Sequence, residues 1–286
     1  MKLRILVLGC KGMAGHMLKN YLDNNLNYEV WGIARGVNPE KNLINLDVSN
    51  TKKLEKILYK EAFDVVINSI GLLNNTAENN AELAVWFNSY FPQLLASYGE
   101  KYNFKLIHIS TDCVFSGKEG AYKEDSFKDG TGFYAQSKAL GEVVNSKDLT
   151  LRTSIIGPEL KVDGIGLFHW FMTQSGKING FTKTIWSGVT TLVLANVVEW
   201  AIENKITGLY HVTNNKSIDK YSLLNLIKKY TKKSISIIPI EGKKTNKSFI
   251  DTRKELNSII PTYNQMVKDM IVNAKKNKST YSHYDF

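Results

Sequence analysis

Cysteine is scarce in this 286-residue chain: only Cys10 and Cys113 are present. Two isolated cysteines exclude a disulfide framework and offer no CxxC metal spacing. Cys10 reads as a small reduced hydrophobe. Long apolar runs are also missing. None approaches a membrane-spanning helix, which needs roughly 18 residues or more, so no membrane partner is expected. The opening MKLRILVLGC reads as a strand without a small-residue cleavage site, and a cytoplasmic location is the expectation. Proline is rare, five in all, and no low-complexity linker or internal repeat marks a boundary between modules. Aromatic-interleaved basic runs and zinc-finger spacings are absent too. The net charge of +10 sits largely late, in Lys228-Lys229, Lys232-Lys233, Lys243-Lys244, Lys247 and lysines 275, 276 and 278. That pattern reads as a solvated lysine-rich surface, and no nucleic-acid partner is expected. The remainder is an ordinary soluble composition, 43% hydrophobic and 22% charged.

What is present is a strand–helix alternation. Leu3 to Leu8 is a continuous apolar run suited to a buried parallel strand. It runs into Gly9-Cys-Lys11-Gly12-Met13-Ala-Gly15 and a helical pattern from His16 to Leu22. Glycines between a strand and a helix permit a tight turn, let backbone N–H groups approach a pyrophosphate, and allow close helix packing. Further strands are predicted at Tyr28 to Ala34, Leu43 to Val48, Phe63 to Asn68, Phe104 to Ile109 and Leu149 to Ile156, with helices at Asn50 to Tyr59 and Ala77 to Gly99. The fold class expected is α/β, a Rossmann-type doubly wound parallel sheet. Residues 1–155 and 187–213 are assigned to this dinucleotide-binding part, and 156–186 with 214–286 to a smaller interleaved substrate lobe. In the latter, helical pieces are predicted at Gly164 to Gln174, Thr190 to Glu203, Tyr221 to Tyr230, Thr252 to Ile259 and Gln265 to Asn273. Strands are predicted at Gly208 to Thr213 and Ser234 to Pro239, and residues 275–286 are expected to be only partly ordered.

Chemistry concentrates between Ile107 and Glu142. Tyr134 and Lys138, four apart on a helix, share one face. A nearby ammonium favours phenolate, and such a tyrosine can give a proton to a developing alkoxide. Thr111, at a strand end, can bond the same oxygen. Arg35, at the end of the second strand, suits a 2′-phosphate, so NADPH is expected before NADH. Asp47 reads either as an adenine contact or as a helix cap. Asn88, an amide on an apolar helix, needs a partner and is expected to brace a neighbouring strand.

Four segments carry a family resemblance: GxxGxxG at Gly9 to Gly15, STDCVFSG at Ser110 to Gly117, YAQSKALGE at Tyr134 to Glu142 and LRTSIIGP at Leu151 to Pro158. Together they resemble the dTDP-4-dehydrorhamnose reductase family of extended short-chain dehydrogenase/reductases. The resemblance implies NADPH-dependent reduction of a dTDP- or UDP-linked 4-keto-6-deoxyhexose, with Thr111, Tyr134 and Lys138 as catalytic residues. It implies cofactor contacts at Gly9, Lys11, Gly12, Met13, Gly15, Arg35, Asp47, Val48, Asn68, Ser69, Ile70, Gly71, Asn88 and Lys138. Leu72, Asp112 and Trp186 are the expected substrate contacts, and a homodimer is left open. Three departures stand out. Cys113 replaces a frequent tyrosine, Ile155 a frequent aromatic, and His16-Met17 follows Gly15 where some members carry a metal-binding glutamate, so no metal is expected. Related GDP-fucose synthases pair a cysteine near this place with a later histidine; by that likeness Cys113 and His169 would add a 3-epimerase activity. Two alternatives remain. One is a bifunctional 3-epimerase/4-reductase of a UDP-2-acetamido-2,6-dideoxy-4-hexulose. The other is a non-enzymatic NADP-binding subunit like the regulators of methionine adenosyltransferase.

Overall fold

The computed structural model of the chain describes residues 2–286. Strand β1 is Leu3–Leu8 and feeds the glycine turn and helix α1, Met13–Leu22. Strands β2 (Tyr28–Ala34) and β3 (Leu43–Asn45) precede α2 (Thr51–Glu61) and β4 (Val65–Asn68). Asn50 caps α2 by accepting from the Lys53 amide, which leaves Asp47 free of that role. The single helix expected from Ala77 to Gly99 is interrupted. It is built as α3 (Asn74–Asn79), α4 (Ala81–Ala84), a π-helical turn over Val85–Tyr90, and α5 (Phe91–Tyr102). Pro92, at the start of α5, has no N–H to donate to Asn88, and the wide turn absorbs the mismatch. Strand β5 (Lys105–Thr111), helix α6 (Gly132–Leu140) and strand β6 (Leu149–Thr153) complete the first stretch.

The elements immediately beyond β6 are short. Residues 155–190 carry β7 (Ile155–Ile156), α7 (Leu167–Thr173), β8 (Gly176–Phe181), β9 (Thr184–Trp186) and β10 (Val189–Thr190). Then come α8 (Thr191–Glu203), β11 (Gly208–His211), β12 (Ile218–Asp219), α9 (Lys220–Thr231), β13 (Ile235–Ile240), β14 (Thr245–Asn246) and α10 (Tyr263–Lys276). The strand expected from Leu149 to Ile156 therefore splits at Ser154: β6 stays in the main sheet and β7 pairs with β10. Residues 252–259 form turns rather than the expected helix, with Lys254 at a φ of 71°. The last residues are docked, not loose: Tyr281 and Tyr284 are buried.

The main sheet has seven parallel strands in the order β11-β6-β5-β4-β1-β2-β3. Strand order reverses between β1 and β4, the place where a doubly wound sheet opens a crevice at its strand C-termini. Both faces are covered. Ile5 and Val7 belong to the core that α1, α8, α9 and α10 also enter, while Leu6 and Leu8 belong to the one entered by α2 and α5, the period-2 alternation of a strand with two buried sides. Two small sheets, β12-β9-β14 and β13-β8, stand beside this layer. No helix among the described residues is long and apolar enough to cross a membrane.

A buried ion pair ties the sheet together below the crevice. Arg152 on β6 gives Nε and Nη2 to the two carboxylate oxygens of Glu142, at 2.8 and 2.7 Å. Ser110 on β5 donates to the same carboxylate, and Arg152 Nη1 lies 2.7 Å from His211 Nε2 on β11. The conspicuous Glu of YAQSKALGE and Arg of LRTS are thus joined as structure.

Candidate active site

One cleft of about 880 Å³ runs across the crevice. Its first wall is the glycine turn. Gly9 has a φ of +80°, a conformation that favours glycine, and a Cβ there would meet Ile70 at 2.9 Å. A Cβ at Gly15 would run into the Gly9 carbonyl and Ser69, so Gly15 serves close packing and sits behind the lining. Gly12 caps α1 with no side-chain bond, leaving the first-turn amides open to an anion. Lys11, Gly12 and Met13 line this end; Arg35, 76% exposed by side chain, stands at the end of β2 with Nη1 3.4 Å from Asp47 Oδ2. Asp47 also accepts from the Ser49 amide, which with Arg35 holds its carboxyl below the usual range despite some burial. Val48, Ser69, Ile70 and Gly71 continue the lining. These features fit a dinucleotide: a backbone-only approach for the pyrophosphate, a helix N-terminus, and an exposed guanidinium.

Three more expected contacts, Asn68, Leu72 and Asn88, lie behind the wall with Gly15. Asn68 is fully buried; its Oδ1 accepts from the Ile70 amide and its Nδ2 faces His108 Nδ1 at 3.2 Å. Asn88, also fully buried, clasps Leu72 from both sides: Oδ1 takes its N–H at 2.8 Å and Nδ2 gives to its carbonyl at 3.0 Å. It also donates to Ser137 on α6. Asn88 therefore braces the loop after β4 rather than a strand, and Leu72 is spent on that brace.

The reacting end gathers Thr111, Tyr134 and Lys138. Thr111 ends β5; its hydroxyl donates to Asp112 Oδ1 and accepts from the Cys113 amide, both at 3.1 Å. Tyr134 and Lys138 rise from α6, and all three line the cleft. The Lys138 ammonium donates to the Ile109 carbonyl at 2.9 Å and lies 3.5 Å from His108 Nε2. Burial brings Lys138 down from 10.5 to about 8, with Glu142 pulling the other way. Tyr134 departs from expectation. Burial pushes its phenol above the ordinary value, Cys113 and Asp112 add to this, and the Thr111 hydroxyl opposes it. The lysine, committed to Ile109, does not depress it. Tyr134 is thereby kept as phenol, the form that donates a proton.

Asp112 is buried, and desolvation raises its carboxyl while Lys247 and Lys220 lower it. Cys113 lines the cleft with its thiol pushed up to about 11 by burial and by Asp112. His169 is not brought to it. Its ring sits on α7 with Nδ1 2.9 Å from the Tyr284 hydroxyl, outside the cleft lining. The docked last residues thus hold the histidine, and burial pushes the thiol up. Trp186 is buried yet borders the cleft, its Nε1 donating to Ser154 at 2.7 Å; Ile155 borders it too. Sequence reading missed Lys220 and Leu223 of α9 on the opposite wall. Nothing local distinguishes Lys220 from the other lysines of its region except the Asp219 cap before it.

A protein-family model described as the RmlD substrate binding domain matches residues 3–276. The chain belongs to this family. Among its relatives, a dTDP-4-dehydrorhamnose reductase of Aggregatibacter actinomycetemcomitans is 27% identical over 247 residues, 76% of each chain. A probable low-salt glycan biosynthesis reductase of Haloferax volcanii is 32% identical over 120 residues, 40% of each chain. The family fold also matches in solved structures. A dTDP-4-dehydrorhamnose reductase of Bacillus anthracis in complex with NADP superposes with a TM-score of 0.81 at 20% identity, covering 96% of this chain and 100% of that one. The corresponding Clostridium acetobutylicum structure gives 0.81 at 21% identity with the same coverage.

Proposed function

We propose that this chain is an NADPH-dependent reductase of a nucleotide-linked 4-keto-6-deoxyhexose, acting in deoxysugar synthesis. The observation that carries the reading is the convergence of Thr111, Tyr134 and Lys138 on the cleft that the glycine turn and Arg35 also line. NADPH, when bound, supplies the hydride. Tyr134 gives its proton to the C4 oxygen, and the Thr111 hydroxyl hydrogen-bonds that oxygen as charge develops. Lys138, charged below about pH 8, holds the nicotinamide ribose hydroxyls. Arg35, exposed and only loosely paired with Asp47, takes the 2′-phosphate and favours NADPH over NADH. Trp186 and Asp112 offer an aromatic face and an acceptor to the sugar. The named relatives support the substrate class. An added 3-epimerisation draws no support from His169, which bonds Tyr284 and does not line the cleft with Cys113, and an intact trio in an open cleft counts against a pure binding subunit.

Incubation with NADPH and a panel of dTDP- and UDP-linked 4-keto-6-deoxy sugars tests this, read by NADPH absorbance and product NMR. The expected result is stoichiometric NADPH oxidation with one class and a new hydroxyl at C4. No oxidation with any member would overturn the reading.

A further inference from the structure

Lys220 is the first residue of α9, directly after the cap Asp219, whose carboxylate takes the Ser222 amide at 2.8 Å. The cap fixes where the helix begins and hence where this side chain leaves it. Its ammonium stands 5.5 Å from the centroid of the Trp186 ring, which is itself held by Ser154. Lys220 borders the main cleft together with Asp112, Cys113 and Trp186. It also borders a second cavity of about 630 Å³, walled mainly by Leu167, Trp170, Ile178, Phe181 and Leu224, with Lys177, Asn179 and Thr184 among them. Leu167 and Lys220 are common to both linings, and Lys220 is the charged one of the two.

Lys138 and Lys220, two of the lysines that line the cleft, differ in their bonding. Lys138 gives a hydrogen bond to Ile109. Lys220 has neither a hydrogen-bond acceptor nor an ion-pair partner within bonding distance among the described residues; Asp112 and Cys113 act on it only through space. An ammonium that lines the cleft and is paired with no carboxylate is open to an incoming anion.

We propose that Lys220 binds the sugar-linked phosphate of a nucleoside diphosphate sugar. The inference rests on the reductase reading above and adds the residue that recognises the diphosphate. With C4 held by Thr111 and Tyr134, the anomeric carbon lies across the ring from the reacting oxygen. On this reading the atoms beyond it would pass Lys220 toward the second cavity. One cation at that junction meets the diphosphate as it leaves the sugar, and the indole of Trp186 beneath the lysine stem keeps the ammonium in place.

Calorimetric titration of the NADP-saturated protein with dTDP, UDP, thymidine and uridine tests this, in wild type, Lys220→Met and Lys220→Arg. Lys220→Met is expected to weaken diphosphate binding by about tenfold or more, the loss of a charge-assisted hydrogen bond, and to leave nucleoside and NADPH affinities unchanged. Lys220→Arg keeps the charge and retains binding within a few-fold. Equal losses for nucleoside and diphosphate, with the same thermal midpoint, would show a packing role and overturn the proposal; so would an unchanged diphosphate affinity. If wild type binds NADPH but neither diphosphate, the nucleotide-sugar reading itself falls, and the assignment of Lys220 falls with it.

Discussion

Lys138 and Lys220 face one cleft from opposite sides, and their surroundings differ. On the side of the seven-stranded sheet, Lys138 is fixed by the Ile109 carbonyl, and α6 is pinned at its end by Glu142 and Arg152. On the side of the small sheets, Lys220 stands unpartnered between two cavities. The sheet side is finished before any ligand arrives: its glycines, brace and ion pair hold the reacting groups in position. The other side keeps an open valence. A reductase would distribute rigidity in this way, with orientation built in on one wall and recognition completed by the substrate on the other.

The strongest test of the finished side is its ion pair. Both groups are almost wholly buried. Burial opposes the charge of Glu142, and Arg152, Lys128 and Ser110 together outweigh it, keeping the carboxyl below its usual range. Arg152→Leu is expected to cost about 3–5 kcal/mol in urea unfolding, because it strands a buried carboxylate. Combining it with Glu142→Leu should recover much of that loss. A single-variant cost near that of a surface substitution would contradict the account.

The next effect is in pH. Burial lowers Lys138 from 10.5 to about 8, so its charge is lost as pH rises through that value. On the alkaline side kcat/KM is expected to fall about tenfold per pH unit above about pH 8. Stability moves the opposite way. Between about pH 8 and 10.5 the unfolded chain binds more protons at this lysine, so its contribution to folding rises with pH. An alkaline limb beginning above pH 10 would show that the lysine is less enclosed than the structure has it.

The smallest effect concerns the docked last residues. His16 Nδ1 donates to the Gly12 carbonyl and its Nε2 accepts from Tyr281, each at 2.9 Å. Tyr281→Phe is expected to cost about 1 kcal/mol in denaturant unfolding. No loss at all would mean that this contact adds nothing to the hold on α1.

The same contrast explains what could be read from the chain. Buried parallel strands such as Leu3–Leu8 are continuous apolar runs, so their ends, and with them Gly9, Ser69 and Thr111, are legible. Tyr134 and Lys138 follow from helical spacing. Their setting does not, because the direction of the Lys138 ammonium is decided by Ile109 and His108, far away in sequence. β8 and β9 were missed since GKINGF mixes apolar and polar residues under glycine, and pairing partners, not local pattern, make them strands. The histidine expected beside Cys113 instead meets Tyr284, a contact spanning 115 residues that spacing cannot foresee. Asn88 was singled out correctly as an amide in need of a partner, but that partner proved to be a loop.

Hydride transfer by wild type and Tyr134→Phe, compared in single-turnover reactions with NADPH and the accepted keto sugar, tests the central claim most directly. The ring remains and only the proton donor is removed. The account predicts a rate loss of about 10²–10⁴-fold with NADPH affinity unchanged. A Tyr134→Phe protein that reduces the sugar at the wild-type rate would contradict it.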